Sequence, residues 1–228
     1  MKTIGIVQHT VFSAAGTAVP WVKARGFRSL HRRMSEREPL PKVDEVDALI
    51  IAGGEMNVDQ EHLHPWLREE KRLIEAALKQ GKPVVGLCLG GQLLAEVLGA
   101  KVGPRGDWEA GWLDVDLQVK PGLAGFEAPG RLKVFQWHGY VFETPAGATR
   151  LAGNAWWPHQ AFVWDNLALG FQFHPETTLA WSEECANDAE LPKTGHVQSR
   201  EEILRDGPLH QPPLQRWFER TLEGFLIR

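Results

Sequence analysis

Residues 83–99 of the chain read Pro-Val-Val-Gly-Leu-Cys-Leu-Gly-Gly-Gln-Leu-Leu-Ala-Glu-Val-Leu-Gly. The apolar start predicts a buried strand and the later part predicts a helix over 92–98, so Cys88 lies where the strand turns into the helix. Such a turn exposes a nucleophile and places it at the positive end of the helix dipole, which favours a thiolate. Gly86 and Gly90 allow the strand and the helix to approach closely. A lone cysteine is more often a small buried hydrophobic residue, so this motif needs support from elsewhere in the chain.

That support comes from residues 168–176, which read Ala-Leu-Gly-Phe-Gln-Phe-His-Pro-Glu. They predict an apolar strand that ends at His174. Side chains two apart on an extended chain point the same way, so Glu176 can orient the imidazole of His174. A thiol, an imidazole base and a carboxylate form a triad that is recognised by the roles of its members. We therefore predict that the side chains of Cys88 and His174 lie within hydrogen-bonding reach or slightly beyond it, and that Glu176 contacts the far nitrogen of the imidazole.

Strands and helices alternate along the first hundred residues or so, and short strands follow. Pro65 suits the first position of the clearest helix, 65–80, and Gly81 ends it. This order predicts an α/β fold with a mostly parallel sheet that is flanked by helices and has an antiparallel extension. The predicted strands are 2–8, 27–34, 48–52, the one leading to Cys88, 113–119, 132–137, 161–164 and 169–174, and the predicted helices are 14–24, 65–80 and 92–98.

Three motifs resemble, in order and spacing, those of the class I glutamine amidotransferases, whose glutaminase domains carry a Cys-His-Glu triad. They are Gly-x-Cys-x-Gly-Gly-Gln at 86–92, Phe-His-Pro-Glu at 173–176 and Ile-Ile-Ala-Gly-Gly at 50–54. The chain is most similar to stand-alone proteins that are like the glutaminase domain of GMP synthase. The resemblance implies a flavodoxin-like fold and one domain over 1–228, with 181–228 as a family-variable C-terminal extension.

The resemblance also implies a site around the candidate triad. Residues 136–139 read Gln-Trp-His-Gly, similar to the family segment that ends Ser-His-Gly-Asp, and Tyr140 replaces the usual acidic residue. Because related families contact glutamine here largely through backbone groups, this change bears on substrate detail more than on chemistry. Backbone amides would stabilise the oxyanion of the reaction. The expected oxyanion donors are Gly54 and Leu89, and the expected substrate-binding residues are Gly53, Gln92, His138, Gly139 and Tyr140.

The charge, the cysteine count and the apolar runs of the sequence bear on which partners and which location to expect. The net charge of −4 gives no long-range attraction to nucleic acid, and acidic Glu36 and Glu38 dilute the basic residues of 25–37. Two cysteines give no disulfide framework, and a free Cys88 suits a reducing cytoplasm. We see no targeting segment and no apolar run of the length of a membrane helix, so the expected location is cytoplasmic.

No cofactor or metal is expected. His62 and His64 have no further ligand at metal-binding spacing, and the chain has neither a phosphate-binding loop nor a dinucleotide fingerprint. Ammonia from glutamine is usually spent on an acceptor that ATP activates, so the acceptor would belong to a separate synthetase subunit. Two alternatives remain: a self-contained γ-glutamyl hydrolase or peptidase, and a non-catalytic binding or regulatory subunit. The intact triad argues against the second.

The C-terminal part has a different composition. Residues 183–190 are acidic and polar, 191–195 predict a loop, and prolines interrupt 208–213. A final helix from about 214 carries its apolar residues on one side, which predicts that it packs against the domain. The ten tryptophans show no repeat, and we interpret most of them as packing residues of the core and of a lid.

Overall fold

Ten strands form one sheet in the computed structural model, which describes residues 1–11, 15–188 and 192–227. The strands are β1 (Thr3–Gln8), β2 (Arg28–Arg33), β3 (Ala48–Ile51), β4 (Val84–Leu87), β5 (Val102–Leu117), β6 (Gly130–Phe142), β7 (Thr149–Gly153), β8 (Ala161–Trp164), β9 (Ala168–Phe171) and β10 (Gly195–Val197). The helices are α1 (Ala18–Ala24), α2 (Trp66–Lys79), α3 (Leu89–Val97), α4 (Leu179–Ala186) and α5 (Arg200–Leu226).

The sheet is parallel in its first half and mostly antiparallel in its second. Strands β2, β1, β3, β4 and β9 lie side by side in parallel. Strands β8, β7 and β5 extend the sheet in antiparallel fashion, β6 pairs with β5, and β10 runs parallel to β5. The predicted fold class, a mostly parallel sheet flanked by helices with an antiparallel extension, is confirmed.

Helices cover both faces of the sheet. Leu49 and Ile51 of β3 pack into the core on the side of α2 and α3, whereas Ile50 between them packs on the side of α1, α4 and α5. All three side chains are fully buried. Burial on both faces explains why the parallel strands are continuous apolar runs in the sequence.

The C-terminal segment differs from the sequence prediction. Helix α5 begins fourteen residues earlier than expected, at Arg200 rather than 214, and it continues through Pro208, Pro212 and Pro213. A proline removes a backbone donor and normally bends or ends a helix, but burial of the apolar face of α5 against the sheet outweighs this loss here. Helix α4 occupies part of the predicted acidic, polar segment, and β10 begins at the end of the predicted loop.

Smaller differences concern element ends. Strand β5 starts at Val102 rather than 113. Its pairing with β6 resumes at Glu109 after an irregularity that follows Pro104, so residues that usually form a turn lie within the strand. Strand β7 is an element that the sequence did not predict. Helix α1 starts at Ala18, and residue 14, where the predicted helix begins, lies outside the described residues. Among the helices that the structure describes, none is long and apolar enough to cross a membrane.

The contact between α3 and the sheet can be tested at Gly90. A Cβ at this position would overlap the carbonyl of Ile51 in β3, whereas a Cβ at Gly130 would meet no atom within 4 Å. We expect Gly90→Ala to lower the free energy of unfolding by about 2 kcal/mol. The control Gly130→Ala should stay within about 0.5 kcal/mol of the parent. Urea unfolding measures both, and equal stabilities would contradict the close contact.

Candidate active site

Cys88 lies at the junction of β4 and α3, in a backbone conformation that non-glycine residues rarely adopt. Its φ is 50° and its ψ is −106°, and it caps the N-terminus of α3. Its amide donates to the carbonyl of Phe171 at 2.9 Å, which ties the turn to β9. A Cβ at Gly86 would overlap the carbonyl of Gly90, so glycine is what permits this tight turn. The turn therefore holds the sulfur at the carboxyl edge of the parallel strands.

His174 and Glu176 follow β9 and reach the same edge. The Nδ1 of His174 lies 2.8 Å from Oε1 of Glu176, and His174 lines the same cavity as Cys88, whose sulfur lies 4.0 Å from the carbonyl oxygen of Trp137. Because Nδ1 faces the carboxylate, Nε2 is the ring nitrogen available to the sulfur. The His174 amide donates to the carbonyl of Phe135, and the ring of Trp181 meets the imidazole edge to face at 4.6 Å. The structure thus brings together the three side chains that the sequence singled out.

The charges around His174 favour its protonated form. Burial alone would lower the pKa of His174, but the carboxylate of Glu176 and the thiolate form of Cys88 outweigh burial and raise the pKa to about 10. The protonated imidazole is therefore stabilised by the neighbouring carboxylate in a buried position. This arrangement can hold a proton next to the sulfur and deliver it to a departing group.

Two backbone amides next to Cys88 have no hydrogen-bond partner among the described residues. They belong to Gly54, in the loop after β3, and to Leu89, the first residue of α3. The amide of Gly90 donates to the carbonyl of Ala52 at 3.1 Å, so the loop and the helix are held together here. Free amides at such a position are suited to an oxyanion.

A cavity of about 540 Å³ opens onto the sulfur. Gln92 donates to the carbonyl of Tyr140 at 3.0 Å, and the Tyr140 hydroxyl donates to Asp59 at 3.3 Å. Three predicted site residues, Gly53, Leu89 and Glu176, do not line the cavity; the carbonyl of Gly53 contacts His9, and Glu176 contacts His174. The predicted site residues that do line the cavity are Gly54, Cys88, Gln92, His138, Gly139, Tyr140 and His174.

The sequence did not single out the aromatic walls of this cavity. Trp108, Trp137 and Trp181 line it together with Met56. Trp108 lies against Gly139, where a Cβ would meet its indole. These tryptophans come from β5, from β6 and from α4, so no periodic pattern could reveal them. The position of Trp137 beside His138 was the one available signal.

A buried polar network lies behind His138. The amide of Gln160 donates to Glu109 at 2.6 Å, that of Asn154 donates to the other oxygen of Glu109 at 2.7 Å, and Gln136 connects Gln160 to His138. Burial raises the pKa of Glu109. Burial, and next the nearby His174, lower the pKa of His138 to about 3. No group of three His, Cys, Asp or Glu side chains in the described ranges could hold a metal ion.

Comparison with known proteins agrees with the motifs. The sequence model of the glutamine amidotransferase class-I family matches residues 22–185. The chain belongs to this family.

Three relatives show the extent of the similarity. A glutamine amidotransferase-like protein of Salmonella typhimurium, YfeJ, is 33% identical over 184 residues, which cover 77% of this chain and 76% of that protein. A glutamine-hydrolysing GMP synthase of Thermomicrobium roseum is 36% identical over 133 residues, 56% of this chain but only 23% of the synthase. The crystal structure of a glutamine amidotransferase from Methylobacillus flagellatus superposes with a TM-score of 0.91 at 30% identity, covering 100% of this chain and 95% of the other.

The two cysteines should differ in reactivity. Cys185 is fully buried, and burial, together with Glu184 and Asp188, raises the pKa of its thiol. We expect iodoacetamide at neutral pH to modify Cys88 at least about tenfold faster than Cys185. Mass spectrometry of a timed, substoichiometric reaction measures this ratio. The rates should converge in urea, and equal labelling of the folded protein would contradict the electrostatic account of Cys88.

The pair of His174 and Glu176 should stabilise the fold in a pH-dependent way. Because the folded-state pKa of His174, about 10, lies above the ordinary value of 6.5, the stabilisation is complete below pH 6.5 and is lost as the pH rises towards 10. We expect Glu176→Gln to lower the free energy of unfolding by about 2 kcal/mol at pH 6. Urea unfolding should show a smaller difference at pH 9.5, and a difference that grows with pH would contradict this assignment.

Proposed function

We propose that the protein hydrolyses the side-chain amide of glutamine through a γ-glutamyl thioester on Cys88. The observation that supports this most is the position of His174, which is held by Glu176 and lines, together with Cys88, a cavity large enough for glutamine. The family of the chain and the glutamine-hydrolysing activity in the name of its GMP synthase relative point to the same chemistry.

The proposed reaction has two stages. The Cys88 thiolate attacks the γ-carbonyl carbon, and the resulting oxyanion accepts hydrogen bonds from the amides of Gly54 and Leu89. The C–N bond then breaks as His174 gives its proton to the leaving ammonia, which leaves the thioester. Water, activated by the now neutral His174, attacks the thioester and releases glutamate and the thiolate. Glu176 orients His174 and stabilises its charged form in both stages.

We further propose that the ammonia is delivered to an acceptor on a separate synthetase subunit. The similarity covers only 23% of the GMP synthase chain, so most of that enzyme lies outside the region that matches this chain. Isolated glutaminase subunits that await a partner turn over glutamine slowly, because the partner orders their site.

A self-contained γ-glutamyl hydrolase is the second candidate. The cavity of about 540 Å³ lies in the range that accepts drug-sized ligands, roughly 300–1,000 Å³, and its rim carries Trp108 and Trp137. This space exceeds the needs of free glutamine and could accept a larger group on the γ-amide nitrogen. A substrate with an apolar amine part would match these indole walls.

Steady-state assays of the purified protein distinguish the two candidates. A hydrolase should cleave a γ-glutamyl dipeptide or anilide at an ordinary rate, on the order of 1–1,000 per second, without a partner. A partner-dependent glutaminase should release ammonia from glutamine slowly and cleave the dipeptide no faster.

In either case Cys88→Ala should lower the rate at least about a thousandfold. Cys185→Ala, the matched control, should retain the rate because Cys185 lies in the core away from the cavity. Retained activity in Cys88→Ala would overturn the proposed nucleophile. A wild-type protein inert towards every γ-glutamyl compound would favour the non-catalytic alternative.

A further inference from the structure

A second buried histidine and carboxylate lie behind the proposed oxyanion site. His9 follows β1, Glu70 belongs to α2, and both side chains are fully buried. The Nε2 of His9 lies 3.0 Å from each carboxylate oxygen of Glu70, and the ring stacks on Trp66 with 5.2 Å between centroids. Burying such polar groups is costly, so an ion pair that is retained in the core calls for a role beyond packing.

The other ring nitrogen of His9 points to the loop that carries Gly54. Its Nδ1 lies 2.8 Å from the carbonyl oxygen of Gly53. A carbonyl oxygen only accepts hydrogen bonds, so Nδ1 must carry a hydrogen. This holds whether the proton between Nε2 and Glu70 belongs to the imidazole or to the carboxyl group. Burial alone would lower the pKa of His9, but the carboxylate of Glu70 outweighs burial and raises it. His9 is therefore a permanent donor to Gly53.

This hydrogen bond fixes the orientation of one peptide group. In a planar trans peptide the C=O and the N–H point in opposite directions. Because the carbonyl of Gly53 points to His9, the amide of Gly54 points away from His9, and Gly54 lines the cavity beside Cys88. Two neighbouring bonds hold the preceding residue: the amide of Ala52 donates to Val7 at 2.9 Å, and its carbonyl accepts from Gly90 at 3.1 Å.

Glycines make this peptide easy to rotate. Gly53 and Gly54 are consecutive, and neither has a side chain that would resist a turn of the peptide plane between them. Without the bond to His9, the carbonyl could turn towards the cavity and present an acceptor where the reaction needs a donor.

We propose that His9, held by Glu70, is a positioning residue that aims the amide of Gly54 at the oxyanion of the reaction. This inference rests on the proposed function, since it assumes that Cys88 attacks a carbonyl carbon. In this proposal the pair of His9 and Glu70 helps to stabilise the transition state. It does not contribute to substrate binding, because neither side chain lines the cavity.

The test compares two variants that differ in one donor. Both carry Glu70→Gln, so that neither has an unpaired buried charge. His9→Phe keeps the ring that stacks on Trp66 but has no N–H, whereas His9→Asn places an amide N–H near the position of Nδ1. Three rates are measured: glutamine turnover, inactivation by a chloromethyl ketone analogue of glutamine, and alkylation by iodoacetamide.

The ketone and iodoacetamide report different chemistry at Cys88. Attack on the ketone forms an oxyanion, whereas alkylation by iodoacetamide displaces iodide and forms none. For the Phe variant we expect kcat and the ketone inactivation rate to fall about 10- to 100-fold, with KM and iodoacetamide alkylation unchanged. The Asn variant should recover most of both rates.

Each outcome bears on a different statement. An unaffected Phe variant in an active protein would overturn the positioning role and leave the proposed function intact. Equal losses with ketone and iodoacetamide, or no recovery with Asn, would indicate general damage and also overturn it. A wild-type protein that is inert towards glutamine, γ-glutamyl compounds and the ketone would overturn the proposed function and this inference together.

Discussion

The close approach of α3 to the carboxyl edge of the parallel sheet is the contact on which the site depends. Gly86, Gly90 and Gly91 each lie where a Cβ would overlap a backbone carbonyl of a neighbouring element. Because these glycines have no side chains, Cys88 can adopt its positive-φ conformation and α3 can begin directly after it. A wider spacing would separate the first amide of α3 from the loop after β3, which carries Gly54.

The second constraint on the site is that buried histidines and carboxylates need partners, and at this edge of the sheet they form two pairs. His174 with Glu176, and His9 with Glu70, each bring a histidine from a strand end to a carboxylate at 2.8 to 3.0 Å. An unpaired charge at these depths would cost several kcal/mol, so each pair fixes the geometry of what it touches. The first pair orients an imidazole towards the thiol, and the second holds a peptide carbonyl. Rigid elements carry all four side chains or flank them.

The sequence predicted where the site motifs lie in the fold better than it predicted the extent of the elements. Motifs of consecutive residues around Cys88 and His174 have local causes, a tight turn and a strand end, and both were recognisable. Helix α5 was misjudged because its prolines argue locally against a helix, whereas its stability comes from burial. The start of α5 was nevertheless recognisable from the capping box that Ser199 and Glu202 form. A separate signal was Glu70 on the apolar face of α2, where a buried carboxylate needs a partner. That partner, His9, follows β1, and only the tertiary structure brings it to Glu70.

The most direct test of the account is to trap the intermediate on Cys88. Protein mixed with glutamine and quenched in acid within one turnover should carry an added γ-glutamyl group, and peptide mapping should place it on Cys88. Hydroxylamine should remove it, as expected of a thioester, and His174→Ala should not accumulate it. Ammonia release with no acyl adduct at any quench time, or an adduct on another residue, would contradict the central claim.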